Sequence, residues 1–256
     1  VNTAPAAGLL VIGNEVLSGR TQDANIRFLA IGLGALGIPL REVRVIPDVA
    51  PTIIGAVNEM RARFTWLFTT GGIGPTHDDI TSACIAEAFG VPCEPHPQAL
   101  RQMEAAYPQG EFNAARRRMA TMPRGATLIE NDASPAPGFT IGNVHVMAGV
   151  PRIMQAMFRT LEGRLPRGLP ILSRSVHAAP MREGAIAGEL GRIQQRFAQL
   201  DIGSYPYERD GSHGVAIVAK GTDQAAAEAA IDEVTRLIAR CGYAPVAGEP
   251  EPPPSS

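Results

Sequence analysis

The stretch TWLFTTGGIGPTHDDITSACIAEAFG, residues 65–90, leads an apolar segment into a glycine-rich loop and then into a helical pattern. "TWLFTT" reads as a buried strand, and "DITSACIAEAFG" as a helix that Gly90 closes. Between them Gly71, Gly72, Gly74 and Pro75 crowd into five positions, and Asp78 and Asp79 end the loop. Glycines let backbone N–H groups approach an anion closely, whereas carboxylates repel one. A site that contains both calls for a third party: a metal ion, a phosphate or both.

Outward from this stretch, apolar strands alternate with helical patterns from Gly8 to Pro151. "LLVIG" reads as a buried strand. "DANIRFLAIGLGALG" spaces Ile26, Leu29, Ala30, Leu33 and Leu36 as one helical face, with Gly37 as the stop. "REVRVIPD" is a second strand, and Pro51 opens the helix "PTIIGAVNEMRARF". "NVHVMAGV" and "PRIMQAMFRTLEG" add a later strand and helix. This order predicts an α/β fold, a mostly parallel sheet covered on both faces by helices. Residues 92–131 break the rhythm and read as a mainly helical excursion. There Arg116-Arg117-Arg118 is either a solvated helix face or a phosphate-binding edge. "EGRLPRGLP" reads as a linker. A strand, a helix, the hairpin "IGSYPYERDGSHGVAIVAKG" and a last helix come after it, predicting a small α+β domain over 170–243. The Pro-rich end, 244–256, is expected to be a disordered tail.

The chain's 256 residues can bury a sizeable core. Its net charge of −2 gives no electrostatic case for nucleic acid as the main partner. No run approaches the roughly 18 apolar residues that span a bilayer, and "VNTAPAAGLLVIG" lacks the basic start of a secretory signal. Cys84, Cys93 and Cys241 are too few and too scattered for a disulfide framework or zinc site. A cytoplasmic location is the expectation.

In open parallel sheets ligands bind beyond the carboxyl ends of the strands. Glu15 follows the first strand, Asp48 the second, and Asp79 the loop after the third. Each has a structural reading too: Thr76 and Asp79 fit a capping box, and Asp48 could cap the turn before Pro51. As a set, the three hard oxygen ligands suit Mg²⁺ or another divalent cation. The glycine loop would supply N–H groups to a phosphate, and the helix beginning near Asp79 its positive dipole end. The loop matches neither the P-loop nor the dinucleotide pattern.

"VIGNEVLSGRTQDAN", "RVIPD", "TTGGIGPTHDDIT" and "MAGVPRIMQAMF" resemble, in order and spacing, the MoaB/Mog domain of molybdenum-cofactor biosynthesis. The form is closest to the N-terminal part of the competence/damage-inducible protein A (CinA) family, over residues 8–165. The resemblance implies a Mog-type three-layer sandwich binding a pterin or nucleotide through its phosphates, and a KH-like second domain. It places Glu15, Asp48 and Asp79 around Mg²⁺ or the reacting phosphate, with Asp48 and Asp79 catalytic. Gly71, Gly72, Gly74, Pro75 and Thr76 fall in the binding loop, and Asp23 and Asn25 in a D-x-N element beside the pocket. Ala148 stands in "MAGVP" where such domains usually carry proline. Full-length CinA proteins add a C-terminal amidase domain; 256 residues leave no room for it, and that activity is not carried over. Family members are commonly homo-oligomers, so one is expected here.

The resemblance implies an enzyme: a divalent-metal-dependent pyrophosphatase splitting a nucleotide diphosphate such as ADP-ribose or FAD. The alternatives are adenylyl transfer to molybdopterin and a non-catalytic pterin- or nucleotide-binding module. The KH-like label invites an RNA-binding reading, but the G-x-x-G "GSHG" at 211–214 falls in a hairpin turn, where glycine has an ordinary use. His77 either reaches a phosphate or is an exposed loop residue. Trp66 and Phe68 read as core, and Tyr205, Tyr207 and Arg209 as hairpin packing that could stack on a base.

Overall fold

The structure, a computed structural model, describes residues 5–209 and 211–250. It divides into two compact units, one ending at Gly168 and the other beginning at Leu169. The division falls inside the proline- and glycine-rich segment.

In the first unit β1 (Ala7–Ile12) is buried along its whole length, because both faces are covered. Its pleat sends Leu10 and Ile12 into one core and Leu9 and Val11 into the other. Helices α3 (Ala50–Arg63) and α4 (Thr81–Phe89) cover the first face with Ile53, Val57, Met60 and Ile85. Helices α2 (Asn25–Ala35) and α7 (Pro151–Glu162) cover the second with Leu29, Leu33, Met154 and Phe158. The result is the expected three-layer sandwich. The sheet order is β2-β1-β3-β8-β7-β6. The strands β2 (Leu40–Ile46), β1, β3 (Trp66–Thr70) and β8 (Val144–Met147) run parallel. The pairs of β7 (Gly138–Ile141) with β8 and with β6 (Thr127–Ile129) are antiparallel. Turn chemistry sets the helix ends. Pro51 lies in the first turn of α3, and Gly90 stops α4 in the left-handed region at φ 65°.

The excursion is helical, as expected, in α5 (Pro97–Ala106) and α6 (Ala114–Arg118). Its root is a two-stranded sheet that the sequence did not reveal, β4 (Cys93–Pro95) against β5 (Thr121–Pro123). Ala120 and Met122 are buried there, so the arm leaves and rejoins the core at one anchored place.

The second unit runs β9 (Leu172–Ala178), α8 (Ala187–Arg196), β10 (Asp201–Arg209), β11 (Ser212–Gly221), α9 (Gln224–Arg240) and β12 (Val246–Ala247). Its antiparallel sheet has the order β10-β11-β9-β12, that of a βαββαβ ferredoxin-like domain. One face packs Val176, Val215 and Ile217 against Ile193, Val234 and Leu237 of the two helices. On the other face Tyr205 leans over Gly203 and Tyr207 over Gly214, where a Cβ would collide with either ring. The G-x-x-G of "GSHG" is therefore spent on the hairpin bend at Gly211, φ 72°, and on ring packing at Gly214. The expectation of a tail from 244 needs correction: β12 pairs with β9, Val246 opposite His177. Residues 251–256 of that expected tail lie outside the described residues. Among the described residues no helix is long and apolar enough to cross a membrane.

His145, on β8, is 6% exposed and stacks on Phe68 with ring centroids 5.0 Å apart. Its Nδ1 meets the Thr140 hydroxyl at 2.9 Å. Burial pushes its pKa down to about 4, so the folded chain keeps the ring neutral while the unfolded chain protonates it near 6.5. Stability therefore falls as pH drops from about 7 toward 4, and this ring alone removes about 2 kcal/mol by pH 5. Urea unfolding at pH 7 and pH 5 checks this: His145→Gln should lose about 2 kcal/mol less than the wild type over that interval.

Candidate functional site

The loop after β3 folds back tightly on the ends of its neighbours. Gly71 sits at φ 100°, and a Cβ there would strike the Ile12 carbonyl oxygen at the end of β1. Its own N–H donates to the Met147 carbonyl at the end of β8, 3.1 Å away. Gly72, at φ 68°, lies against the Thr81 hydroxyl, and its carbonyl accepts from the Thr81 amide at 3.0 Å. These contacts seat the start of α4 beside the loop. Among the described residues, nothing accepts from the amides of Gly72, Ile73 and Gly74, nor from those of Ser82 and Ala83 in the first turn of α4. Five donors thus lack an acceptor among the described residues, three in the loop and two at the N-terminus of α4, which has no side-chain cap.

Oxygen acceptors and hydroxyls in the same neighbourhood are also unmatched. The Thr70 and Thr81 hydroxyls and Asn25 Oδ1 are buried without a hydrogen-bond partner, as is Thr69 Oγ1 one residue before the strand end. An unmatched buried polar group costs on the order of 1–3 kcal/mol, so a ligand that supplies partners recovers stability. Asn25 is held in place by its Nδ2, which donates to the Gly149 carbonyl at 2.8 Å. Gly149 in turn lies so near Gly71 that a Cβ on it would be 3.3 Å from the Gly71 Cα. Asp23, the other member of the D-x-N element, spends Oδ1 on the Ile26 amide at 2.7 Å and starts α2.

The three carboxylates have separate duties. Asp48 does not cap the helix at Pro51; its Oδ2 reaches across to accept from the Asn14 amide at 2.9 Å. That bond ties the end of β2 to the short helix α1 (Asn14–Leu17), which carries Glu15. The capping box also needs correction. Asp79 Oδ2 accepts from the Thr76 amide at 2.8 Å and from its hydroxyl at 2.5 Å, but α4 begins later, at Thr81. The pair closes a turn inside the loop instead. Thr76 nearby and the Asp78 backbone amide keep the exposed Asp78 carboxyl below its usual range. Gly74 packs on the Asp79 carboxylate, 2.6 Å from where its Cβ would be. The structure does not gather Glu15, Asp48 and Asp79 into one cluster: among the described residues no three His, Cys, Asp or Glu side chains stand ready to hold an ion. A cation held here would therefore have at most two of these carboxylates, and the rest of its shell would have to come from water and ligand. Pro75 ends the free-amide stretch, and the His77 side chain is 96% exposed.

The family described as "Probable molybdopterin binding domain" matches residues 8–167. The chain belongs to that family. The second unit matches "FAD synthase, middle domain" over residues 170–243. Among curated relatives of this MoaB/Mog-domain chain, a "CinA-like protein" of Synechococcus sp. (strain CC9902) is 32% identical over 91% of the chain. The chain spans 58% of that relative's length. A relative named only "Protein", from Pyrobaculum arsenaticum, is 33% identical over 78% of the chain and 79% of its own length. Among solved structures, "The crystal structure of the protein CinA with unknown function from Thermoplasma acidophilum" is 30% identical with a TM-score of 0.59, covering 63% of this chain and 98% of that one. The chain is thus a CinA-like MoaB/Mog-domain protein.

Sequence reasoning did not single out Thr81, taken only as part of a helix, nor Thr70 and Gly149 beside the loop. The loop packing makes Gly71 the least replaceable residue in the site. Gly71→Ala should destabilise the first unit by about 2–4 kcal/mol, since the new methyl meets backbone in a positive-φ conformation. Thermal unfolding beside Gly55→Ala, whose Cβ would meet open space inside α3, checks this.

Proposed function

We propose that the site binds the phosphates of a nucleotide and hydrolyses its pyrophosphate bond, with ADP-ribose or FAD as substrate and Mg²⁺ or another divalent cation as cofactor. The observation that carries this reading is the group of free amides from Gly72 to Gly74 and at the start of α4, with the Asp79 carboxylate packed on Gly74. Amides alone would serve for anion binding. Carboxylates at adjoining strand ends are costly beside a phosphate unless a cation or a proton transfer uses them. The FAD synthase match of the second unit supports a dinucleotide.

Asp48, which accepts from the Asn14 amide, and Glu15, the next residue along, would hold the cation, which would supply charge neutralisation on the phosphoryl oxygens. The loop amides orient the diphosphate and stabilise the charge that grows on it. A water oxygen bonds to one phosphorus while the bond from that phosphorus to the bridging oxygen breaks. The bridging oxygen leaves on the second phosphate, and Asp79 or Asp48 takes a proton from the water. Asp79 also keeps Thr76 and the loop in shape through its paired hydrogen bonds. For ADP-ribose the products are AMP and ribose 5-phosphate.

A second reading, adenylyl transfer from ATP to a pterin phosphate, is favoured by the family match over residues 8–167. It uses the same amides and charges with a phosphate oxygen in place of water. Product analysis distinguishes them, offering ADP-ribose and FAD separately with Mg²⁺, then ATP with molybdopterin. The expected result is AMP from a dinucleotide, reduced roughly 100-fold or more in Asp79→Asn. AMP appearing only on the pterin would establish transfer, and ligand binding without product in any arm would overturn catalysis.

A further inference from the structure

The arginine run at 116–118 is not three equivalent charges. Arg116 is committed to Glu111, to its carbonyl and at 3.1 Å to its carboxylate, and lies 4.3 Å over the Tyr107 ring. Arg117 faces Glu104 at 3.4 Å and the Phe112 ring at 4.8 Å. Arg118 has no carboxylate partner among the described residues. Its Nη2 instead donates to the Thr76 carbonyl, 2.9 Å away and 42 positions back, inside the glycine loop. A guanidinium carries five N–H donors, and this is the only bond that Arg118 makes with a described residue.

We propose that Arg118 is the cationic clamp of the phosphate site, a substrate-contacting residue that forks onto the ligand phosphate from its bond to the Thr76 carbonyl. The inference rests on the phosphate-binding reading of the loop. Three observations bring it there. The residue is exposed, yet the two residues after it fix its place. Met119 packs with the core that includes Ile73 and Ile80, and Ala120 is fully buried, its carbonyl accepting from the His96 amide at 2.8 Å. The paired strands β4 and β5 root the arm, so α6 returns to the loop rather than projecting into solvent. The loop itself offers donors but no cation of its own: from Thr69 to Thr81 the sequence holds no lysine or arginine. A diphosphate with two or more negative charges is better matched by amides plus a planar fork than by amides alone. The excursion thereby acquires a purpose: it carries a cation to a loop whose glycines leave no room for a long side chain.

The test uses inorganic pyrophosphate as probe, with binding measured by calorimetry on the whole chain in Mg²⁺ buffer, and hydrolysis of ADP-ribose and FAD measured beside it. Arg118→Gln should raise the pyrophosphate Kd roughly 10- to 100-fold, while Arg117→Gln leaves it within about 2-fold. Arg118→Lys should recover part of the affinity, since it keeps the charge but loses the fork. A loop-supporting role alone would instead lower the thermal midpoint, give no recovery with lysine and leave pyrophosphate affinity unchanged. Unchanged affinity in Arg118→Gln overturns the inference, as does a wild-type chain that binds no pyrophosphate. Weakened binding in Arg118→Gln, in a chain that hydrolyses neither dinucleotide, would sink the hydrolytic reading and leave the clamp standing.

Discussion

The first unit depends on a close approach of two backbones, where Gly71 passes over the carbonyl of Ile12. Strand β3 ends there, and the chain must turn without colliding with β1. A side chain at that point would push the loop outward, away from the Met147 carbonyl that receives the Gly71 amide. Once the loop is seated, Gly72 can lie against Thr81, the first turn of α4 is aligned, and its Ser82 and Ala83 amides are left without acceptors among the described residues. The polar character of the site is thus a by-product of steric necessity at its floor. Energetically the arrangement is supported from below, by the two apolar layers on either side of β1, rather than by bonds within the loop.

The surface ion pairs contribute differently. Arg44 bridges Glu42 and Glu59, and Arg63 joins the same two carboxylates. Those groups are partly exposed, so each pair adds little to stability. What they do is consume cations. Arg118 differs from these paired arginines in its partner, a carbonyl of the glycine loop 42 positions away.

Much of this architecture was legible in the chain, for identifiable reasons. Buried strands with apolar residues on both faces, such as Leu9 to Ile12, announce a covered sheet, and Pro51 and Gly90 mark helix ends by backbone chemistry alone. The short strands were not legible: Cys93–Pro95, Thr121–Pro123 and Val246–Ala247 are too brief for a periodic signal, and they exist only because distant partners meet them. The duties of the carboxylates were hidden for the same reason. Asp48 looks like a local cap, but its partner is Asn14, 34 residues away. Asp79 looks like a helix cap, but the helix waits until Thr81. Local spacing finds the right residues and cannot say which long-range bond each will make.

The second unit holds the sequence's only lysine, Lys220, whose Nζ lies 5.6 Å from the centre of the Tyr205 ring on the open face of the sheet. Every other basic side chain apart from the five histidines is an arginine. These 256 residues therefore carry a single side-chain primary amine. Within them, amine-directed reagents such as succinimidyl esters place a dye or a spin label at one side chain. The label would sit beside the tyrosines of that face, remote in sequence from the glycine loop, and would report on one unit while the chemistry of the other is left unmodified.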